Sequence, residues 1–87
     1  MLISFGFDKG APPRNAAKVF DVRDLSHDTN SPWFKARQQE IADYAKQHPL
    51  QTVAVGCDKG EHRSKVMVDR VAGLLHASKF HRNAKRM

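Results

Sequence analysis

Apolar positions along the chain fall into short runs that alternate with longer periodic stretches. Leu2 to Phe7 is an apolar, β-prone run. Lys18 to Arg23 alternates apolar and polar side chains towards its end, and Gln51 to Gly56 is almost continuously apolar, the pattern of a strand covered on both faces. Between the first two runs, Gly10-Ala-Pro-Pro-Arg14 is expected to hold one short helical turn. A helix is predicted from Ser31-Pro32 to Gln47, because serine at the N-cap accepts a backbone N–H bond and proline at the first helical position loses no donor. Phe34, Ile41, Tyr44 and Ala45 give it one apolar face. A second helix is predicted from Glu61 or His62 to Ala77, with an apolar stripe of Met67, Val71, Leu74 and Leu75. Gly73 costs that helix about 1 kcal/mol relative to alanine, which points to tight packing there. Trp33 and Phe34 are expected in the core, as are Ser4, Phe5 and Phe7.

Strand, strand, helix, strand, helix and a basic end make a small α/β fold with a mostly parallel sheet flanked by helices. The 87 residues are read as a single domain, 1–87. Ligands of such sheets bind beyond the carboxyl ends of the strands. Gly6-Phe7-Asp8, Arg23-Asp24 and the residues after Gly56 are expected to meet there.

Composition narrows the class. Hydrophobic residues at 40% with 28% charged fit a globular chain, and no apolar run approaches the roughly 18 residues of a membrane-spanning helix. Met1 to Phe5 is too short for a signal peptide. The single cysteine excludes an internal disulfide, and no Cys/His spacing suits structural zinc, so neither metal nor cofactor is expected. A cytoplasmic protein with no membrane partner is the expectation. Of the net charge of +6, most sits in the last third: Lys59, Arg63, Lys65, Arg70, Lys79, Arg82, Lys85 and Arg86 face only Asp58, Glu61 and Asp69. Such a concentration favours an anionic partner.

The most informative segment is Gly56-Cys57-Asp58-Lys59-Gly60-Glu61-His62-Arg63-Ser64, a Cys-x5-Arg-Ser loop between an apolar strand and a helix. A loop so placed can turn successive backbone amides towards one tetrahedral anion, and the helix N-terminus adds about half a positive charge. Arg63 offers a planar fork for two phosphate oxygens. Gly60 allows backbone conformations barred to other residues, Lys59 and His62 add charge, and Ser64 can donate to the anion or to the Cys57 sulfur. The same spacing belongs to cysteine-dependent phosphatases, which would make Cys57 the nucleophile and Arg63 the oxyanion clamp. Gly56 in place of histidine and the lack of an obvious general-acid loop weigh against catalysis, although Asp8, Asp24 and Asp28 are candidate acids. Asp21 and Arg23 share one strand face and are expected to form an ion pair, with Arg23 also a candidate ligand contact. In Lys79-Phe-His-Arg-Asn-Ala-Lys-Arg86, cations accompany an aromatic ring and a histidine, a combination that can stack on unpaired bases and track phosphates.

Ser4-Phe-Gly-Phe7 with Gly10, Val19-Phe-Asp-Val-Arg23-Asp-Leu25, Thr52 to Ser64, and His81-Arg82-Asn-Ala-Lys-Arg86 together resemble, in the same order, four blocks of the C-terminal domain of the RNase adapter family RapZ. The resemblance implies a domain that senses glucosamine-6-phosphate and binds small regulatory RNA without catalysing a reaction. It also implies, as possible partners, a ribonuclease, a full-length relative or a second copy in a homo-oligomer. It implies a stand-alone version without the family's N-terminal P-loop half. On it, Cys57, Asp58, Lys59, Gly60, Glu61, His62, Arg63 and Ser64 are the expected phosphate-binding residues, with Arg23 and His27 beside them, and Lys79, His81, Arg82, Lys85 and Arg86 the RNA-contacting ones. Lys59 stands where the family has glycine, His27 stands two positions before the family's histidine, and the segment from Leu25 to Thr52 is shorter than usual. A phosphatase and a small protein-binding regulator are the alternatives.

Overall fold

A computed structural model describes residues 1–83. Its elements are β1 (Leu2–Gly6), a 3₁₀ turn (Phe7–Lys9), β2 (Lys18–Asp21), α1 (Pro32–Gln47), β3 (Val53–Cys57), α2 (Arg63–Leu75) and β4 (Lys79–His81). The four strands form one parallel sheet in the order β2-β3-β1-β4. The α/β class and the parallel sheet flanked by two helices are as expected from the sequence.

The helices form for the reasons read in the sequence. Ser31 Oγ accepts the Phe34 N–H at 3.1 Å and Pro32 opens α1. One sheet face and the helices share a core in which Leu2, Val22, Val53, Val55, Phe34, Ile41, Met67, Val68 and Val71 are almost wholly buried. On the opposite face the Phe5 and Phe7 rings lie 4.8 Å apart over Gly56, where a Cβ would stand 2.5 Å from the Phe7 ring. Glycine at 56 therefore makes room for the aromatic pair.

Several expectations need correction. The short turn lies at Phe7–Lys9, ahead of the Gly10–Arg14 segment, because Asp8 N–H can bond the Asp58 carbonyl (2.9 Å) as soon as β1 ends. The stripe of α2 is Met67, Val68, Val71 and Ala72; Leu74 is exposed, since the helix axis turns that position away from the sheet. Gly73 is also exposed and a Cβ there meets nothing within 4 Å, so its glycine serves no packing. Trp33 is 77% exposed while its neighbour Phe34 is fully buried. The largest departure is β4, whose three residues sit in the stretch read as a basic tail and pair with Leu2 to Ser4 of β1.

Candidate functional site

Parallel strands deliver their carboxyl ends to one edge of the sheet, and three loops meet there. Gly6 is in register with Cys57 and pairing of β2 with β3 brings Asp21 beside Gly56. Val22 N–H then bonds the Gly56 carbonyl (2.9 Å), which leads the chain from Arg23 to His27 past the Cys57 loop. A cleft of about 260 Å³ opens at this point, lined by His27, Cys57, Asp58, Lys59, Glu61, His62 and Arg63. The convergence inferred from topology is observed, and His27 joins the site by stacking on His62 with ring centroids 6.2 Å apart.

The loop turns inward around the Cys57 sulfur. Gly60 N–H donates to Sγ at 3.2 Å, and the amides of His62 and Ser64 are also directed at it. Ser64 Oγ lies 3.2 Å from Sγ and 3.3 Å from the Phe5 carbonyl oxygen, wholly buried, so it serves the sulfur and the sheet instead of the cleft. Burial pushes the Cys57 thiol up, but the bonds from the Ser64 hydroxyl and from the Ser64, Gly60 and His62 amides outweigh it and hold the thiol below its ordinary value. Gly60 carries φ 73°, a conformation glycine adopts without penalty, and this lets the loop fold back on the end of β1.

Arg63 departs from the expectation of a free fork. It is 5% exposed. Its Nη1 donates to the backbone carbonyls of Arg23 and Leu25, both at 2.9 Å, and Nη2 donates to Asp58 Oδ2 at 3.0 Å. Its Nε is buried without a hydrogen-bond partner. The guanidinium is thus a rigid brace between the β2 loop and the Cys57 loop, with its Nε–H unused. A buried N–H left unsatisfied costs about 1–3 kcal/mol.

The other candidates separate clearly. Arg23 ion-pairs with Asp21 at 2.7 Å, as expected, its guanidinium lies 4.0 Å over the Phe7 ring, and its carbonyl accepts from Arg63. Lys79 and His81 belong to β4 and both reach Asp69 of α2, each at 2.7 Å. His81 Nδ1 also lies 2.6 Å from the buried Ser4 Oγ. Arg82 donates to the Ala11 carbonyl at 2.8 Å and stands over Phe5. Lys85 and Arg86 lie outside the described residues. Sequence reasoning missed Asp69, which Lys65, Lys79 and His81 surround, and Asn83, whose Oδ1 accepts the Gly6 N–H at 2.9 Å. The i, i+4 spacing of Lys65 and Asp69 was the one available signal.

Comparison with known proteins adds a relationship to this geometry. No family model matches the chain. It is similar to a protein of Deinococcus radiodurans named "Nucleotide-binding protein", at 35% identity over 106 positions that take in 88% of this chain and 37% of the relative. A Synechococcus protein of the same name is 30% identical over 100 positions, covering 82% of this chain and 30% of that protein. The chain is a distant homologue of both. It spans about a third of their length. The alignments exceed the 87 residues of the chain, so both relatives carry residues within the matched region that have no counterpart here. This kinship supports the RapZ-like resemblance at the level of the broad family. No helix among the described residues is long and apolar enough to cross a membrane.

Proposed function

We propose that the Cys57–Ser64 loop is a non-catalytic binding site for a phosphate group, carried by a small phosphorylated metabolite, and that the domain acts as a sensor of that metabolite. The observation that carries this reading is the loop's inward turn at the start of α2, with the Gly60, His62 and Ser64 amides about the Cys57 sulfur, beside a buried guanidinium whose Nε lacks a partner. Inward amides at a helix N-terminus attract an oxyanion, and a spare guanidinium donor adds a charge-assisted bond. Lys59 and His62 line the same cleft. The resemblance to the RapZ family makes glucosamine-6-phosphate the first compound to try.

Calorimetric titration with inorganic phosphate, glucosamine-6-phosphate and a structured small RNA tests the proposal. The sugar phosphate is expected to bind, and Lys59→Ala with His62→Ala is expected to weaken it several-fold. Binding of RNA alone, unaffected by the two substitutions, would move the site away from the loop. The described cations of the C-terminal segment already serve Asp69 and the Ala11 carbonyl, which favours the loop over that segment as the anion site.

A second reading, a cysteine phosphatase, is favoured by the hydrogen bonds that stabilise the Cys57 thiolate. Hydrolysis of an aryl phosphate that disappears in Cys57→Ser would establish it. Phosphate binding retained in Cys57→Ser, without turnover in either protein, keeps the sensor reading.

A further inference from the structure

On the reading that the loop binds phosphate, we infer that Asp58 is a built-in occupant of the phosphate position, which a ligand must displace. The inference starts from the covalent shape of the guanidinium. Nε and Nη2 lie along one edge of the plane and form the fork that carboxylates and phosphates grip with two oxygens. In Arg63 the other group, Nη1, is anchored by two carbonyls, so the plane cannot turn away from the cleft. Asp58 Oδ2 reaches Nη2 at 3.0 Å, while Nε is buried without a partner. A carboxylate placed to satisfy this arginine would bridge both donors. Asp58 grips only one, and its own side chain is 54% exposed, at the mouth of the cleft.

Asp58 can swing out without disturbing its backbone, whose carbonyl accepts the Asp8 N–H at 2.9 Å. The brace on Arg23 and Leu25 does not pass through Asp58, so Arg63 keeps its place when the carboxylate leaves. An incoming phosphate then takes the Nη2 donor that the carboxylate has left. The tethered carboxylate competes at an effective concentration on the order of millimolar or more. Weak monoanions fail against it, whereas a phosphate monoester, with greater charge and a further oxygen for the Gly60, His62 and Ser64 amides, succeeds. Asp58 thereby sets a threshold concentration for the sensor and selects dianions over carboxylates.

The test is titration of the full chain with inorganic phosphate and, separately, acetate, for wild type, Asp58→Asn and Asp58→Ala. Removing the competing charge is expected to tighten phosphate binding by at least about tenfold in both variants and to let acetate bind. Equal or weaker phosphate binding in both variants would overturn the inference. A measurement on the unaltered protein stands beside it: the Arg63 guanidinium resonances are expected to shift as phosphate saturates, together with a change at the Asp58 carboxyl carbon. Loop amides that respond while both of these stay fixed would remove Asp58's role and leave the phosphate site standing. No response of any kind, in any of the three proteins, would remove the phosphate site and this inference with it.

Discussion

Gly6, at the end of β1, and Gly60, in the loop after β3, meet backbone to backbone: a Cβ on Gly60 would stand 2.5 Å from the Gly6 nitrogen. Gly60 also holds φ 73°, so a side chain there is excluded by both conformation and space. This contact presses the loop against the sheet and turns its amides inward. Gly60→Ala is therefore expected to destabilise the fold by at least about 3 kcal/mol. Denaturant unfolding checks it; a loss below about 1 kcal/mol would mean that the loop can fold another way.

Asp69 fastens the edge strand. Its partial burial works against the charge, but Lys65, Lys79 and His81 outweigh that and hold the carboxyl well below the usual carboxylate range. Because the folded pKa is depressed, this contribution to stability is complete above the unfolded carboxylate value and fades only as pH falls through the folded one. Asp69→Asn is expected to cost about 2 kcal/mol, the scale of hydrogen bonds to a charged group. It should also raise amide exchange in β4 before the other strands. Unchanged protection of Phe80 and Arg82, whose amides lie in or beside β4, would contradict the fastening role.

Gly73→Ala is expected to stabilise the protein by up to about 1 kcal/mol, since the position is helical, exposed and has open space for a Cβ. A drop in stability on thermal unfolding would show that Gly73 has a packing partner.

The thiol of Cys57 titrates below an ordinary cysteine because Ser64 and the Gly60 and His62 amides outweigh its burial. The thiolate ultraviolet band should thus appear at lower pH than in the unfolded chain, and Ser64→Ala should return it towards the ordinary value. The sign for stability follows: the thiolate contribution is present above the unfolded thiol pKa and lost as pH falls through the folded one. A midpoint unmoved by Ser64→Ala would remove the hydroxyl from this balance.

Much of this architecture was legible in the residues because it rests on local rules. Ser31-Pro32 starts a helix by capping chemistry, and the Val53–Val55 run has the pattern of a covered strand. The site's location followed from parallel topology. The Lys79–His81 strand was illegible because three residues carry no period, and its stability comes from Ser4 and Asp69, distant in sequence. The role of Arg63 was half legible: its spacing from Cys57 marks the loop, but its engagement with the Arg23 and Leu25 carbonyls depends on where the β2 loop runs. Trp33 and Leu74 were misplaced because an apolar side chain next to a core position differs from it only by a rotation about the helix axis.

The loop as an anion cradle is tested most directly by following backbone amide resonances during a titration with inorganic phosphate and then glucosamine-6-phosphate. The account predicts that the Gly60, His62 and Ser64 amides shift first and furthest, saturating together, while those of β4 stay still. Shifts confined to β4, or none at saturating phosphate, would contradict it.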